Sequence, residues 1–179
     1  VASALKRHYR LSNFNVRSAA SNHAAQLRYE VDQTSDRFPE QLQQLRASLV
    51  FYTASQHVGL ITGHVWYAPE MANLKPLGYR LVSLLRHPVD RYYSQYFYSR
   101  YKEGAYARID DSFEAYLDSR EARHSGTTYV RFIGGSRPDS DYESEEALAN
   151  ARNHLKGMDI VGFLEDLTAF KNRFREKFG

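Results

Sequence analysis

Tyr79-Arg-Leu-Val-Ser-Leu-Leu-Arg86-His-Pro88-Val-Asp-Arg91-Tyr-Tyr-Ser94-Gln-Tyr-Phe-Tyr98 is the stretch from which the fold is read. Its apolar run, Leu81 to Leu85, stops at Arg86, and Pro88 then opens a long aromatic-rich helical pattern. A buried strand followed by such a helix delivers an arginine to a helix N-terminus. There, unpaired N–H groups and the positive end of the helix dipole favour an anion, typically a phosphate. Side chains lean back toward a helix's N-terminus, so the Ser94 hydroxyl, about two turns in, can point toward Arg86. A guanidinium and a hydroxyl placed this way form a phosphate pocket.

Outward from this segment, short apolar runs alternate with helical patterns. Val1–Tyr9 and Ser18–Leu27 read as helices, and Phe38-Pro39 opens a helix over Glu40–Ala47, proline being tolerated in a first turn. Leu49–Thr53 and Val58–Thr62 read as strands, being short and rich in β-branched or aromatic residues. Pro69–Leu74 is a loop or single turn, and the strand Leu81–Leu85 and the helix Pro88–Tyr101 follow. Ser112 caps a helix to Ser119, and residues 134–143 form a loop. Ser144-Glu-Glu146 starts a helix that Gly157 stops; Met158–Phe163 is a strand. Leu167, Phe170, Phe174 and Phe178 recur at helical spacing. The expected fold class is α/β, a parallel sheet flanked by helices in one domain spanning residues 1–179.

With 179 residues, 42% hydrophobic and 14% aromatic, the chain can bury a sizeable core. A net charge of +3 is too small a bias to argue for nucleic acid. The absence of cysteine removes disulfides, thiolate metal sites and cysteine nucleophiles, and favours a reducing compartment. No apolar run is long enough to span a bilayer. A cytoplasmic setting is expected on these grounds.

Each candidate residue has an ordinary alternative. Arg86 could form a local salt bridge, but a strand, Arg, Pro and helix with Ser94 eight positions on favours the phosphate pocket. Arg91 could reach the same anion, pair with a carboxylate or lie along aromatic rings. Tyr93, Phe97 and Tyr101, spaced by four, read more simply as a packing face than as a nucleic-acid stacking platform. His64, after Gly63 at a strand end, is either a core histidine or a general base. Arg131, in the apolar run Tyr129–Gly135, needs a partner or a ligand anion, a salt bridge being the default. Histidines and carboxylates do not cluster as metal ligands, and GxxxxGK[ST], GxGxxG and GxSxG are absent.

Arg86-His-Pro-Val-Asp-Arg-Tyr-Tyr-Ser94-Gln-Tyr resembles the 3′-phosphate-binding segment of the carbohydrate sulfotransferases. It is most similar to the heparan sulfate and uronyl 2-O-sulfotransferase group and its bacterial relatives. Gly63-His64-Val65 resembles the segment that carries that group's catalytic histidine, and Ala147–Leu167 its late helix–strand–helix. The chain departs in having His87 where the family has aspartate, and in lacking the amides of the family's acceptor stretch around Thr127–Arg131. The family's strand and 5′-phosphosulfate loop would precede Val1, so the chain is expected to be a fragment with little activity of its own.

The resemblance implies a P-loop NTPase-like fold and sulfuryl transfer from 3′-phosphoadenosine 5′-phosphosulfate (PAPS) to a carbohydrate hydroxyl, with no metal. Arg86 and Ser94 would hold the nucleotide, His64 would act as base, and Arg91 and Arg131 would contact substrate. For a eukaryotic homologue with an N-terminal anchor before Val1, the resemblance implies a Golgi lumen in place of the cytoplasm. The alternatives are a P-loop-type kinase or NTPase-like enzyme and a non-enzymatic module binding anionic glycans or nucleic acid.

Overall fold

The computed structural model describes residues 12–103, 108–137 and 141–178. The helix expected over Val1–Tyr9 lies outside them. The chain divides into two compact units, one drawn from Val1–Tyr79 and Gly135–Pro138, the other from Arg80–Gly134 and Asp139–Gly179.

In the first unit, strand β1 (Asn13–Val16) leads into helix α1 (Ser18–Tyr29), and α2 (Phe38–Ser55) is followed by β2 (Leu60–Gly63). β1 and β2 pair in parallel, Val16 opposite Gly63. Ser12 prolongs the pairing, its carbonyl accepting the Leu60 N–H and its hydroxyl the Gly59 N–H. A 3-10 segment, Pro69–Leu77, closes the unit with Gly78 in a left-handed conformation. The core forms where Ala25 of α1 meets Phe38, Leu42 and Leu45 of α2.

α2 corrects one expectation. Leu49–Thr53 is not a strand but the second half of this 18-residue helix. Between Pro39 and Ser55 no glycine or proline interrupts the chain. Leu42, Leu45, Val50, Thr53 and Ala54 are buried at helical spacing, and that period overrides the local β-preference of Val-Phe-Tyr-Thr. β1 is the reverse case, a strand in a stretch too polar to announce one.

The second unit begins with β3 (Val82–Leu85) and α3 (Pro88–Tyr101), close to the expected bounds. Three short helices follow, α4 (Phe113–Leu117), α5 (Arg120–Gly126) and α6 (Thr128–Gly134). Then come α7 (Glu145–Gly157), β4 (Ile160–Phe163), a 3-10 turn at Leu164–Asp166 and α8 (Leu167–Phe178). Ser112, Ser119 and Ser144 each cap a helix, accepting the N–H of Ala115, Ala122 and Ala147 at 3.3, 3.0 and 3.2 Å.

β3 and β4 pair in parallel, Leu85 opposite Phe163. The protein is therefore α/β, with its four described strands in two separate parallel pairs rather than the single sheet expected. At the near end of the second pair, the Asp159 carboxylate accepts the Leu81 N–H at 2.9 Å and lies 3.5 Å from the Lys177 ammonium. The ring of Phe170 packs over Gly162, where a Cβ would fall 2.2 Å from a ring carbon.

α3 turns a different face inward from the one its spacing suggested. Tyr96 and Ser99 are buried, and Tyr96 packs on Tyr116 and Ala122. Tyr93, Phe97 and Tyr101 are exposed, Tyr93 stacking on Phe113 and Phe97 lying parallel to Tyr101. The buried side is set by where α4 and α5 dock. Among the described residues no helix is long and apolar enough to cross a membrane.

Gly63 allows β1 and β2 to meet, because a Cβ there would lie 2.7 Å from Val16 Cβ and 3.1 Å from the Val16 carbonyl oxygen. Neither atom can swing aside. Gly63→Ala should therefore cost about 1–3 kcal/mol, seen as a lower urea midpoint at an unchanged slope.

Candidate functional site

Arg86 is the first residue past the β3–β4 ladder and the second before α3. Its backbone is held by a side chain: the Tyr129 phenol accepts the Arg86 N–H at 2.8 Å and donates to the Arg86 carbonyl at 2.9 Å. The neighbouring His87 N–H donates to Glu165 Oε1 at 2.9 Å. The peptide linking Arg86 and His87 thus has its oxygen and its hydrogen each fixed by a side chain from a different element.

The Arg86 side chain itself is half-buried and makes no hydrogen bond or ion pair among the described residues. Ser94 is exposed on α3, and its hydroxyl is likewise uncommitted. Pro88 and Asp90 stand in the first turn of α3, where the leading N–H groups have no partner within the helix.

Glu165 is a site residue that the sequence reading missed. The His87 N–H bond chiefly, then its own backbone N–H, holds its carboxyl below the usual range, with Arg86 and His87 charges acting in the same direction. A negative group thus already takes one donor at the end of β3. Its signal was Leu164-Glu-Asp directly after a parallel strand, an acidic turn beside a neighbouring helix N-terminus.

Arg91 resolves toward packing. Its guanidinium donates to the Ser125 carbonyl, approaches the Ser125 hydroxyl at 3.5 Å, and lies 5.4 Å from the centre of the Tyr129 ring. Burial lowers its pKa, opposed by the neighbouring Tyr129, Tyr116 and Tyr92. No carboxylate pairs with it among the described residues.

Arg131 is 5% exposed and lies on helix α6, not on the strand or turn expected. The expected salt bridge is replaced by the His124 carbonyl and ring, with the Tyr142 ring 5.9 Å away. Its Nε is buried without a partner. Burial first, then the Arg91 charge, pushes the guanidinium down to about 10, against a raising effect of Tyr142. Two guanidinium groups therefore sense each other here without a carboxylate between them.

His64 belongs to the first unit. It follows β2 and is exposed, and its imidazole makes no hydrogen bond among the described residues. Its backbone is tied down instead. Arg46 of α2, 5% exposed, donates through Nη1 to the His64 carbonyl at 2.7 Å, through Nε to Ser21 Oγ at 2.9 Å and through Nη2 to Asn22 Oδ1 at 3.0 Å. Gln43 Oε1 accepts the Trp66 N–H at 2.9 Å. One polar edge of α2 thus anchors the segment that carries the histidine.

The described residues contain no group of three or more histidines and acids able to hold a metal. Compared with known protein families, with curated proteins and with solved structures, the chain has no match in any of the three.

His124 gives the second unit a pH dependence. Partial burial, then the Arg131 charge, push its imidazole down to about 4 from 6.5. Between those values the unfolded chain binds the extra proton, so stability is complete above pH 6.5 and falls as pH drops toward 4. Because the residue is exposed to solvent, the loss is small. Urea midpoints should decline from pH 7 to pH 5, and His124→Gln should flatten that slope.

Proposed function

We propose that the protein transfers a sulfuryl group from PAPS to a hydroxyl, with a carbohydrate as the acceptor class. The observation that carries this reading is the uncommitted Arg86 guanidinium at the C-terminal end of a parallel strand and the N-terminus of a 14-residue helix. Ligands of parallel α/β sheets bind at this edge, and helix N-termini suit phosphates. The half-buried Arg91 and the buried Arg131, both without a carboxylate partner among the described residues, add positive potential around it.

In this scheme Arg86 and Ser94 hold the nucleotide's 3′-phosphate through charge-assisted hydrogen bonds. His64 is the general base. The acceptor oxygen attacks sulfur in line, its proton passes to the His64 imidazole, and a new O–S bond forms. The S–O bond to the 5′-phosphate breaks, and adenosine 3′,5′-bisphosphate leaves with the electron pair. Positioning and charge stabilisation carry most of the rate, as in phosphoryl transfer.

A second reading draws on the exposed Tyr93, Phe97, Tyr98 and Tyr101 of α3. Such a row could stack sugars or bases in a module that binds anionic polymers without chemistry. Steep salt dependence together with indifference to the nucleotide would favour it.

In the full-length protein, Arg86→Ala should weaken adenosine 3′,5′-bisphosphate binding by about 5- to 150-fold, or about 1–3 kcal/mol, measured by calorimetry. Full retention of affinity would remove Arg86 from the site. His64→Ala should lower turnover by about 10²- to 10⁴-fold with nucleotide affinity nearly intact, measured by sulfate transfer to a glycan acceptor. Undiminished turnover would exclude His64 as the base.

A further inference from the structure

We infer that Tyr129 is the positioning residue of the anion site, fixing through its phenol the backbone from which Arg86 projects and through its ring the guanidinium of Arg91; this rests on the sulfuryl-transfer reading above.

The strand ladder ends at Leu85 opposite Phe163. One residue further, Arg86 has no strand partner, and its backbone would be free to turn. Tyr129 supplies both missing bonds with one oxygen, accepting at 2.8 Å and donating at 2.9 Å. That doubly bonded phenol acts as a one-residue extension of the sheet. It sets the direction of the Arg86 Cα–Cβ bond, and so the region the guanidinium can sweep. Glu165 completes the restraint by accepting the His87 N–H of the same linkage.

The ring face has a separate task. Arg91 stands 5.4 Å from its centre, held there by the Ser125 carbonyl as well. Tyr129 thereby joins the end of β3 to the first turns of α3 through α6, an element that bears no ligand residue in the proposed scheme. Binding groups need such supporting contacts, since an ångström of misplacement is expensive.

Tyr129→Phe tests the phenol alone, because the ring and its contact with Arg91 remain. In the full-length protein it should weaken adenosine 3′,5′-bisphosphate binding by about 5- to 50-fold, the loss expected for two hydrogen bonds. Adenosine 5′-phosphate, which lacks the 3′-phosphate, should bind as it does to wild type. In the Arg86→Ala background, adding Tyr129→Phe should produce no further loss, because its effect runs through Arg86. Unchanged bisphosphate affinity, or an equal loss for both nucleotides, would overturn the role of Tyr129; so would a full additional loss in the double variant. A wild-type protein with no preference for the 3′-phosphate would instead overturn the transfer reading itself.

Discussion

The peptide between Arg86 and His87 is the point on which the second unit's candidate chemistry depends. Two parallel strands of four residues form a weak ladder, since parallel pairing is the less stable kind and isolated two-stranded pairs are marginal. The pair is held from outside. Asp159 ties its entry to Leu81 and Lys177, Phe170 closes over Gly162, and Tyr129 and Glu165 clamp its exit. A chain leaving so small a sheet would otherwise wander. Clamped at both ends, it carries Arg86 to a defined place at the mouth of α3.

The second unit also spends its cations in an unusual way. Arg91 and Arg131 are solvated inside the protein by carbonyls, a hydroxyl and aromatic faces, not by carboxylates. These partners satisfy N–H groups without cancelling charge. Both guanidinium groups are accordingly less comfortable as cations than they would be in water, burial being the leading cause. A bound anion would relieve that discomfort. Under the proposed function, that anion would offset part of the cost of burying charge without a counter-ion.

Strand β3 and helix α3 were legible because an apolar run, a charge and a proline follow one another within eight residues, and each has one dominant structural meaning. The serine caps at 112 and 144 were legible for the same reason. Leu49–Thr53 was misread because local β-preference and helical period conflict there, and the burial of Val50 and Thr53 within the unit decides for the helix. The buried face of α3 was hidden because aromatics occupy nearly every position of the helix. Tyr129 was invisible as a site residue: its run read as a strand or turn, whereas helix α6 is what aims its phenol at Arg86. Glu165 was hidden in a similar way, since its role exists only once β3 and β4 are paired.

Glu165 shows why the arrangement suits an exchangeable ligand. A carboxylate placed directly on the Arg86 guanidinium would neutralise it and would have to be displaced by any incoming phosphate. Here the carboxylate bonds instead to a backbone N–H, which no other group satisfies among the described residues, and the guanidinium stays uncommitted among them. The Arg86 charge still acts on that carboxylate through space, helping to hold it below its usual range. Under the proposed function, a bound anion and the Glu165 carboxylate would oppose each other at the same helix terminus. That opposition would weaken the hold on the spent nucleotide, whose release the proposed transfer requires before the next turnover.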